Sequence, residues 1–422
     1  ESITGVMSGY GFTAAGTTYD NEDRLTGFSR AATSGPALLS QSWNLTSVGD
    51  WTSVTTNGTA QNRTHGPTHE LLTAGGQNVA TDVKGNITTL PANLRPAGST
   101  TAMNLTWDSD NKLRSADIDA NGTADVNFQY DALGRRVARS GTGGSVVYVQ
   151  MDQQTIADYP VGGAATTPTF RYVYASYIDE PVVRKTAGTG GTLVYFHRNH
   201  QYSVTAVTTS TGNIAERYAY TAYGLPTILD PSGVTLPTSN FSIHTSYTGR
   251  EWDATLGLHH FRARWMSPNA GRFLGRDPIG FEGSEWGLYE FVDSKPLIDA
   301  DPFGEFSIAM LGLRQRRTRN AIEVCRRCYM QNGYCVADVS GSTWLESQFR
   351  RLLPLPAQTG GWNEIPGSRR FFSRKDWNAD CCSSCAELGD VVNSCETFYS
   401  EPTKWKNWYP PPPPPRNSGP WA

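Results

Sequence analysis

Two residue types are each missing from one part of this chain of 422 residues. None of its seven cysteines precedes Cys325, and no histidine follows His260. Without cysteine, the leading part has neither disulfides nor thiolate metal sites and must fold on its core alone. Without histidine, the tail excludes a Cys-His protease, a Ser-His-Asp hydrolase and a His-ligated nuclease finger. An enzyme within residues 305–422 would have to work with carboxylates, thiols, Arg or Tyr. No apolar run reaches the roughly eighteen residues of a membrane helix. The chain starts on Glu1 with no basic and then apolar leader, so no signal peptide is expected in it, and a start in mid-repeat without Met reads as a piece of something longer. Large net charge is lacking too: the balance of −3 predicts no general affinity for nucleic acid or acidic membrane.

That balance hides an asymmetry. Through Gly304 there are 21 Lys+Arg against 28 Asp+Glu, whereas from Glu305 onward there are 15 against 11. Charge, cysteine and histidine all change near one point, which predicts two separately evolving units in a chain long enough for two or three domains.

What the leading part does contain is alternation with turn signals. Phe128 and Tyr130 fall on one face of a strand, Asp131-Ala132-Leu133-Gly134 supplies a tight turn, and Arg136-Val137 starts the return. Looser versions lie at Tyr19-Asp20 with Arg24-Leu25, at Asp82-Val83-Lys84-Gly85-Asn86-Ile87, and at Trp107-Asp108 with Lys112-Leu113. Trp107 to Tyr130 is 23 residues, a spacing that suits stacked hairpins. A second block continues the pattern through Tyr177-Ile178-Asp179-Glu180-Pro181, Tyr195-Phe196-His197 and Glu216-Arg217-Tyr218-Ala219-Tyr220. Histidines three apart on a strand, such as His197 and His200, point to opposite faces and predict core or surface roles rather than a shared metal. Asn-x-Ser/Thr triplets, at Asn121 among others, follow from the Thr-rich composition.

Residues 247–304 carry the densest signal. Tyr247-Thr248-Gly249-Arg250-Glu251-Trp252-Asp253 leads to Gly257-Leu258-His259-His260-Phe261-Arg262-Ala263-Arg264-Trp265 and then to Gly271-Arg272-Phe273-Leu274. Asp277-Pro278-Ile279-Gly280 and Asp301-Pro302-Phe303-Gly304 are two near-copies of one phrase, with Leu288-Tyr289-Glu290-Phe291 between them. Taken alone, Asp-Pro-x-Gly is a turn: Asp accepts backbone hydrogen bonds, Pro presets φ and Gly relieves the fourth position. As an ordered series the segment resembles the core that ends the shell of RHS/YD-repeat proteins, which include toxin components and polymorphic toxins. The resemblance implies a mainly β fold, a YD-repeat β-hairpin array forming part of an RHS-type shell that the core plugs. Residues 1–150 would be degenerate repeats, 151–246 further shell strands and 247–304 the core.

In toxin-type relatives the core cuts its own chain just after the second motif, as an aspartyl protease. That implies catalytic roles for Asp277, Asp301, the adjacent Arg276 and, more loosely, Glu290, with the junction at Gly304 and Glu305. Two carboxylates sharing a proton would let one activate water while the other polarises the scissile carbonyl. Relatives usually have Leu where this chain has Glu305, and an acid in an apolar subsite is costly to desolvate.

The remainder reads as a variable, Cys-rich, partly helical cargo over residues 305–409 and a proline-rich tail over 410–422. Apolar spacing predicts helices over 320–331 and 381–398, and Pro410 to Pro415 would adopt polyproline II. Cys325-x-x-Cys328 and Cys382-x-x-Cys385 have zinc-site spacing, but adjacent Cys381-Cys382 and an odd count favour disulfides over zinc or free thiols, so no cofactor is expected. Arg314, Arg316, Arg317 and Arg319 suit a solvated linker better than a nucleic-acid site. Two functions stay open. One is a toxin-type shell holding its own C-terminal cargo, with an immunity protein as a further partner; the other is a non-enzymatic surface protein that contacts target cells. Either implies a secreted or cell-envelope location.

Overall fold

The computed structural model describes residues 16–31, 37–188, 190–284 and 287–309, together with four short strands further on. It divides into two units, Glu1–Leu311 and Gly312–Ala422.

The first unit is an antiparallel meander around a small inner sheet. Seven strands run in chain order from Thr18–Tyr19 to Gln77–Asn78, and fifteen more from Ala80–Thr81 to Thr235–Leu236, each pairing with its sequence neighbours. One local device builds many of the reversals. Asp131 Oδ1 accepts the N–H groups of Leu133 (2.9 Å) and Arg135 (3.0 Å), and Gly134 takes φ +73°. Asp20, Asp82 and Asp108 do the same toward the residues two and four ahead of each. The carboxylate thereby replaces strand partners that a tight turn cannot offer. Just before several of these turns the register slips, as between Gln129 and Tyr130 or Thr106 and Trp107, which adds twist.

Four strands, Glu251–Asp253, Leu258–Phe261, Arg264–Ser267 and Arg272–Phe273, make the inner sheet. It is apolar on both faces because the meander covers both. Leu258, Trp265 and Leu274 join Phe128, Leu105 and Leu113 in one cluster. Phe261, Met266 and Phe273 join Trp43, Tyr218, Tyr223 and Phe291 in another. Each fully buried Phe contributes on the order of 2–3 kcal/mol. Polar ties reach in from the meander as well: Arg139 pairs with Asp253 at 2.7 Å, Arg272 with Asp50 at 3.0 Å, and His259 Nε2 donates to the Gly224 carbonyl at 2.8 Å. Beyond the inner sheet, Asp299–Ala300 pairs with Ile308–Ala309, so residues 301–307 form the loop of a final hairpin.

In the second unit, Cys328–Gln331, Tyr334–Asp338, Arg369–Phe372 and Asn363–Ile365 form a four-stranded antiparallel sheet in that order. This corrects the helix expected over 320–331, whose last four residues are a strand. Asn332-Gly333 stands between two runs rich in Tyr and Val, a two-residue hairpin signal that outweighs a short apolar stripe. The helix expected over 381–398, Cys325, Cys382, Cys385 and the proline run lie outside the described residues. Among the described residues, no helix is long and apolar enough to cross a membrane.

Candidate active site

Both Asp-Pro-x-Gly turns have their aspartates buried, and the second uses the full hairpin device. Asp301 Oδ1 accepts the N–H groups of Phe303 (3.1 Å), Gly304 (2.7 Å) and Glu305 (3.1 Å). Asp277 Oδ1 accepts that of Ile279 (3.0 Å), and Gly280 and Gly304 take φ +63° and +72°. That leaves Oδ2 of each acid facing inward, and one guanidinium lies between them. Arg264 Nη2 is 2.8 Å from Asp277 Oδ2 and 3.4 Å from Asp301 Oδ2. Its Nε donates to the Gly304 carbonyl, its Nη1 to that of Leu288 at 3.3 Å, and its plane lies over the Phe273 ring at 3.6 Å.

The side chains of Arg264, Asp277 and Asp301 are 5%, 3% and 2% exposed. A single buried cation cannot neutralise two buried anions, so the group as a whole favours holding one proton. Burial pushes the Asp277 carboxyl up to about 7 against the opposing charge of Arg264. Burial also raises Asp301, again opposed by Arg264 and by the N–H groups of its turn. Gly283 packs against both Asp277 Oδ2 and the Glu305 carbonyl oxygen, and a methyl group there would strike the two together. The Asp277 carboxyl and the peptide bond after Glu305 therefore meet at one small spot. Phe306, which follows, is buried and packs against Phe303.

Asp277, Asp301, Gly304 and Glu305 are thus brought together. Arg276 is not with them: its Nη2 holds Glu70 Oε1 at 2.6 Å and its Nε the Tyr289 hydroxyl at 3.1 Å. The arginine between the acids is Arg264, a role that adjacency in sequence assigned to Arg276. Glu290 lies in another cluster. It accepts from Ser284 and Ser294 and lines a cavity with Asp50, Arg63, His65 and Arg272, where burial and then Asp293 push it up to about 7. Glu305 is half-buried, and its charge acts on Lys112 and Arg264. Lys112 Nζ reaches the Ala263 carbonyl at 3.3 Å.

Sequence reasoning also passed over an oxygen-rich loop. Asp117, Asp119 and Asp125 bring ligand atoms within 4.8 Å of one another. Asp117-x-Asp119-x-Asn121-Gly122 is the spacing that would have flagged them. The Asp117 oxygens already accept the N–H groups of Asn121 (3.1 Å) and Gly122 (2.8 Å), which suffices for a turn. His197 and His200 bond to Thr208 and to the Leu297 carbonyl.

No family model matches the chain. It is similar to double-stranded DNA deaminase toxin A of Burkholderia cenocepacia, 24% identical over 244 residues, 53% of this chain and 16% of that protein. It is similar to tRNA nuclease WapA of Bacillus subtilis, 23% identical over 214 residues, 48% of this chain and 8% of that protein. A third likeness is to salivary gland surface protein 1 of Aedes aegypti, 28% identical over 130 residues, 29% of this chain and 4% of that protein. Among solved structures, the TcdB2-TccC3 crystal structure aligns with 68% of this chain and 18% of its own, at 19% identity and TM-score 0.37. The chain spans less than a fifth of each of these proteins.

Proposed function

We propose that this chain is the C-terminal part of a toxin-related RHS-repeat protein whose inner segment is an aspartyl protease acting once, on its own chain. The observation that carries this reading is Arg264 holding two buried carboxylates beside the backbone of residues 304–306. Asp277, protonated near neutral pH, donates to the Glu305 carbonyl, and Asp301, ionised, takes a proton from water. The water oxygen bonds to the Glu305 carbonyl carbon and the bond to the Phe306 nitrogen breaks. Phe306 leaves as an amine carrying a proton, and Glu305 becomes a new carboxyl terminus. Arg264 keeps the two acids apart in charge and fixes the Gly304 carbonyl. The meander then encloses or presents the residues beyond the cut as a variable cargo, with an immunity protein as a further partner, in a secreted or envelope-bound protein.

Intact mass under denaturing conditions tests this. The wild-type chain is expected as two fragments meeting between Gly304 and Phe306, and Asp277→Asn and Asp301→Asn as one piece. A single wild-type mass after long incubation removes the protease reading. The ends of the cut would stay paired through Asp299–Ala300 and Ile308–Ala309, so native separation would not reveal it.

A second reading keeps the same geometry without chemistry. Asp301 Oδ1 is fully used as a turn acceptor, which favours a structural role in a non-enzymatic surface protein that contacts cells. An uncut wild-type chain is the outcome that selects it.

A further inference from the structure

We propose that Asp179, carried by a hairpin of the long sheet, is a positioning residue for the carboxylate pair: it neutralises Arg250 and Arg262, so that they grip the cleavage loop without imposing their charge on Asp301. This rests on the self-cleavage reading and assigns a control to it, since Asp179 belongs to the meander and not to the inner segment.

Asp179 lies in the connection between Phe170–Tyr174 and Pro181–Thr186, and its side chain is 1% exposed. Its Oδ1 pairs closely with Arg250 Nη2 and at 2.7 Å with Arg262 Nη2, while Arg262 Nη1 lies 3.4 Å from its Oδ2. Each arginine turns its Nη1 to the same acceptor, the Pro302 carbonyl, at 3.3 Å from Arg250 and closer from Arg262. Arg262 Nε is fixed on the Gln153 carbonyl at 3.0 Å. Gly249 lets the backbones meet, because a Cβ there would strike Asp179 itself. The grip on the loop therefore exists only once the 170–186 hairpin has closed over the inner sheet.

Asp301 sits next to Pro302 in the chain. The charged and titratable groups acting on it are Arg264, Arg262, Asp277 and the Tyr177 hydroxyl, and the backbone N–H of Glu305 donates to it. Burial and the charge of Arg262 already lower Arg250. Without Asp179, the two guanidiniums held at the Pro302 carbonyl would bring their unanswered charge to bear one residue from Asp301. Asp277 shares Arg264 with Asp301, so the same charge would favour ionising it as well, and a doubly ionised pair would leave no proton for the scissile carbonyl.

The test is the first-order rate of fragment appearance by intact mass from pH 4 to pH 9, on the full chain. Asp179→Asn keeps the shape and removes the charge. Its rate at pH 7 is expected to fall at least about tenfold, with the alkaline limb moved down by about one pH unit. Adding Arg262→Gln removes the excess charge, and should return the limb to its wild-type position while the rate stays low because the grip on Pro302 is left to Arg250 alone. A folded Asp179→Asn that cuts with the wild-type profile overturns the proposal. If Asp179→Asn does not fold, a folded double variant whose limb remains displaced does the same. If the wild-type chain is not cut, the protease reading fails by itself. Carboxyl-carbon NMR titration of Asp301 then still decides the charge control: a fall of about one unit in Asp179→Asn supports it, and no change refutes it.

Discussion

The turn at Asp131 and the turn at Asp301 are the same local structure with opposite electrostatics. In each, one carboxylate oxygen accepts the N–H groups two and four residues ahead, and a glycine three ahead takes positive φ. Asp131 remains 24% exposed beside its own Arg135. Although what burial it has works against this, Arg135 and the turn N–H groups hold its carboxyl below the usual range. Asp301 has the same backbone donors and a buried arginine, yet burial raises it. Turn chemistry therefore sets the shape, and the surroundings set the proton. An aspartate is pushed toward its protonated form here because strands from elsewhere in the chain exclude water from a turn that is ordinary in itself.

Removing the arginine from each turn is the sharpest way to break that comparison. Arg264→Met leaves two buried carboxylates without a counter-ion and should cost about 3–5 kcal/mol in urea unfolding. Arg135→Met removes an ion pair of similar length at the surface and should cost no more than about 1 kcal/mol. Equal losses would mean that burial does not separate the two turns.

pH dependence should carry the next largest effect. The folded value for Asp277, about 7, stands above the ordinary value of 3.8. The folded state then binds more protons at this group than the unfolded one between these values, so its contribution to stability is full below about pH 4 and is lost as pH rises through 7. Glu290, raised to about 7 in its separate cluster, acts in the same direction. Asp277→Asn should flatten the slope by an amount on the order of 2–4 kcal/mol. Urea unfolding at pH 4 and at pH 8 checks this, and an unchanged slope would show that Asp277 is ionised throughout.

Gly283→Ala should have a smaller effect on stability, about 1–3 kcal/mol from overpacking, but should stop cleavage. Gly283 has φ −88°, so an alanine there meets no backbone strain and reports only the space between Asp277 and the Glu305 carbonyl. Rapid cutting in this variant would show that those two groups need not meet.

What could be read in advance divides along the same line. The turns at Asp20, Asp82, Asp108 and Asp131 were legible because donors, acceptor and the residue of positive φ, respectively Asp23, Gly85, Asn111 and Gly134, lie within five consecutive residues. The nearness of Asp277 to Asp301 came only from resemblance, since no local rule joins residues 24 apart. Arg264 was missed for the opposite reason. Arg276 is next to Asp277 in the chain, but its side chain points to Glu70, while Arg264 reaches both acids from a neighbouring strand. Two arginines in the otherwise apolar run Phe261-Arg262-Ala263-Arg264-Trp265 were the available signal, because a guanidinium is buried only where something inside answers its charge. At Cys328 the error was one of period, four residues being too few to tell a helix stripe from a strand.

The smallest expected effect sharpens the comparison from the exposed side. Asp131, held below its usual range, contributes stability that is present above its unfolded value and lost as pH falls through its lower folded value, the reverse of Asp277. Arg135→Met should weaken that acid-side loss without touching the fall between pH 4 and 7. Asp277→Asn should do the converse. Unfolding curves of the two variants and their combination should then add, because residues with no shared partner seldom couple by more than about 0.5 kcal/mol. A larger coupling would mean that the surface turn feels the buried pair, and that one turn geometry does not come in two independent electrostatic states.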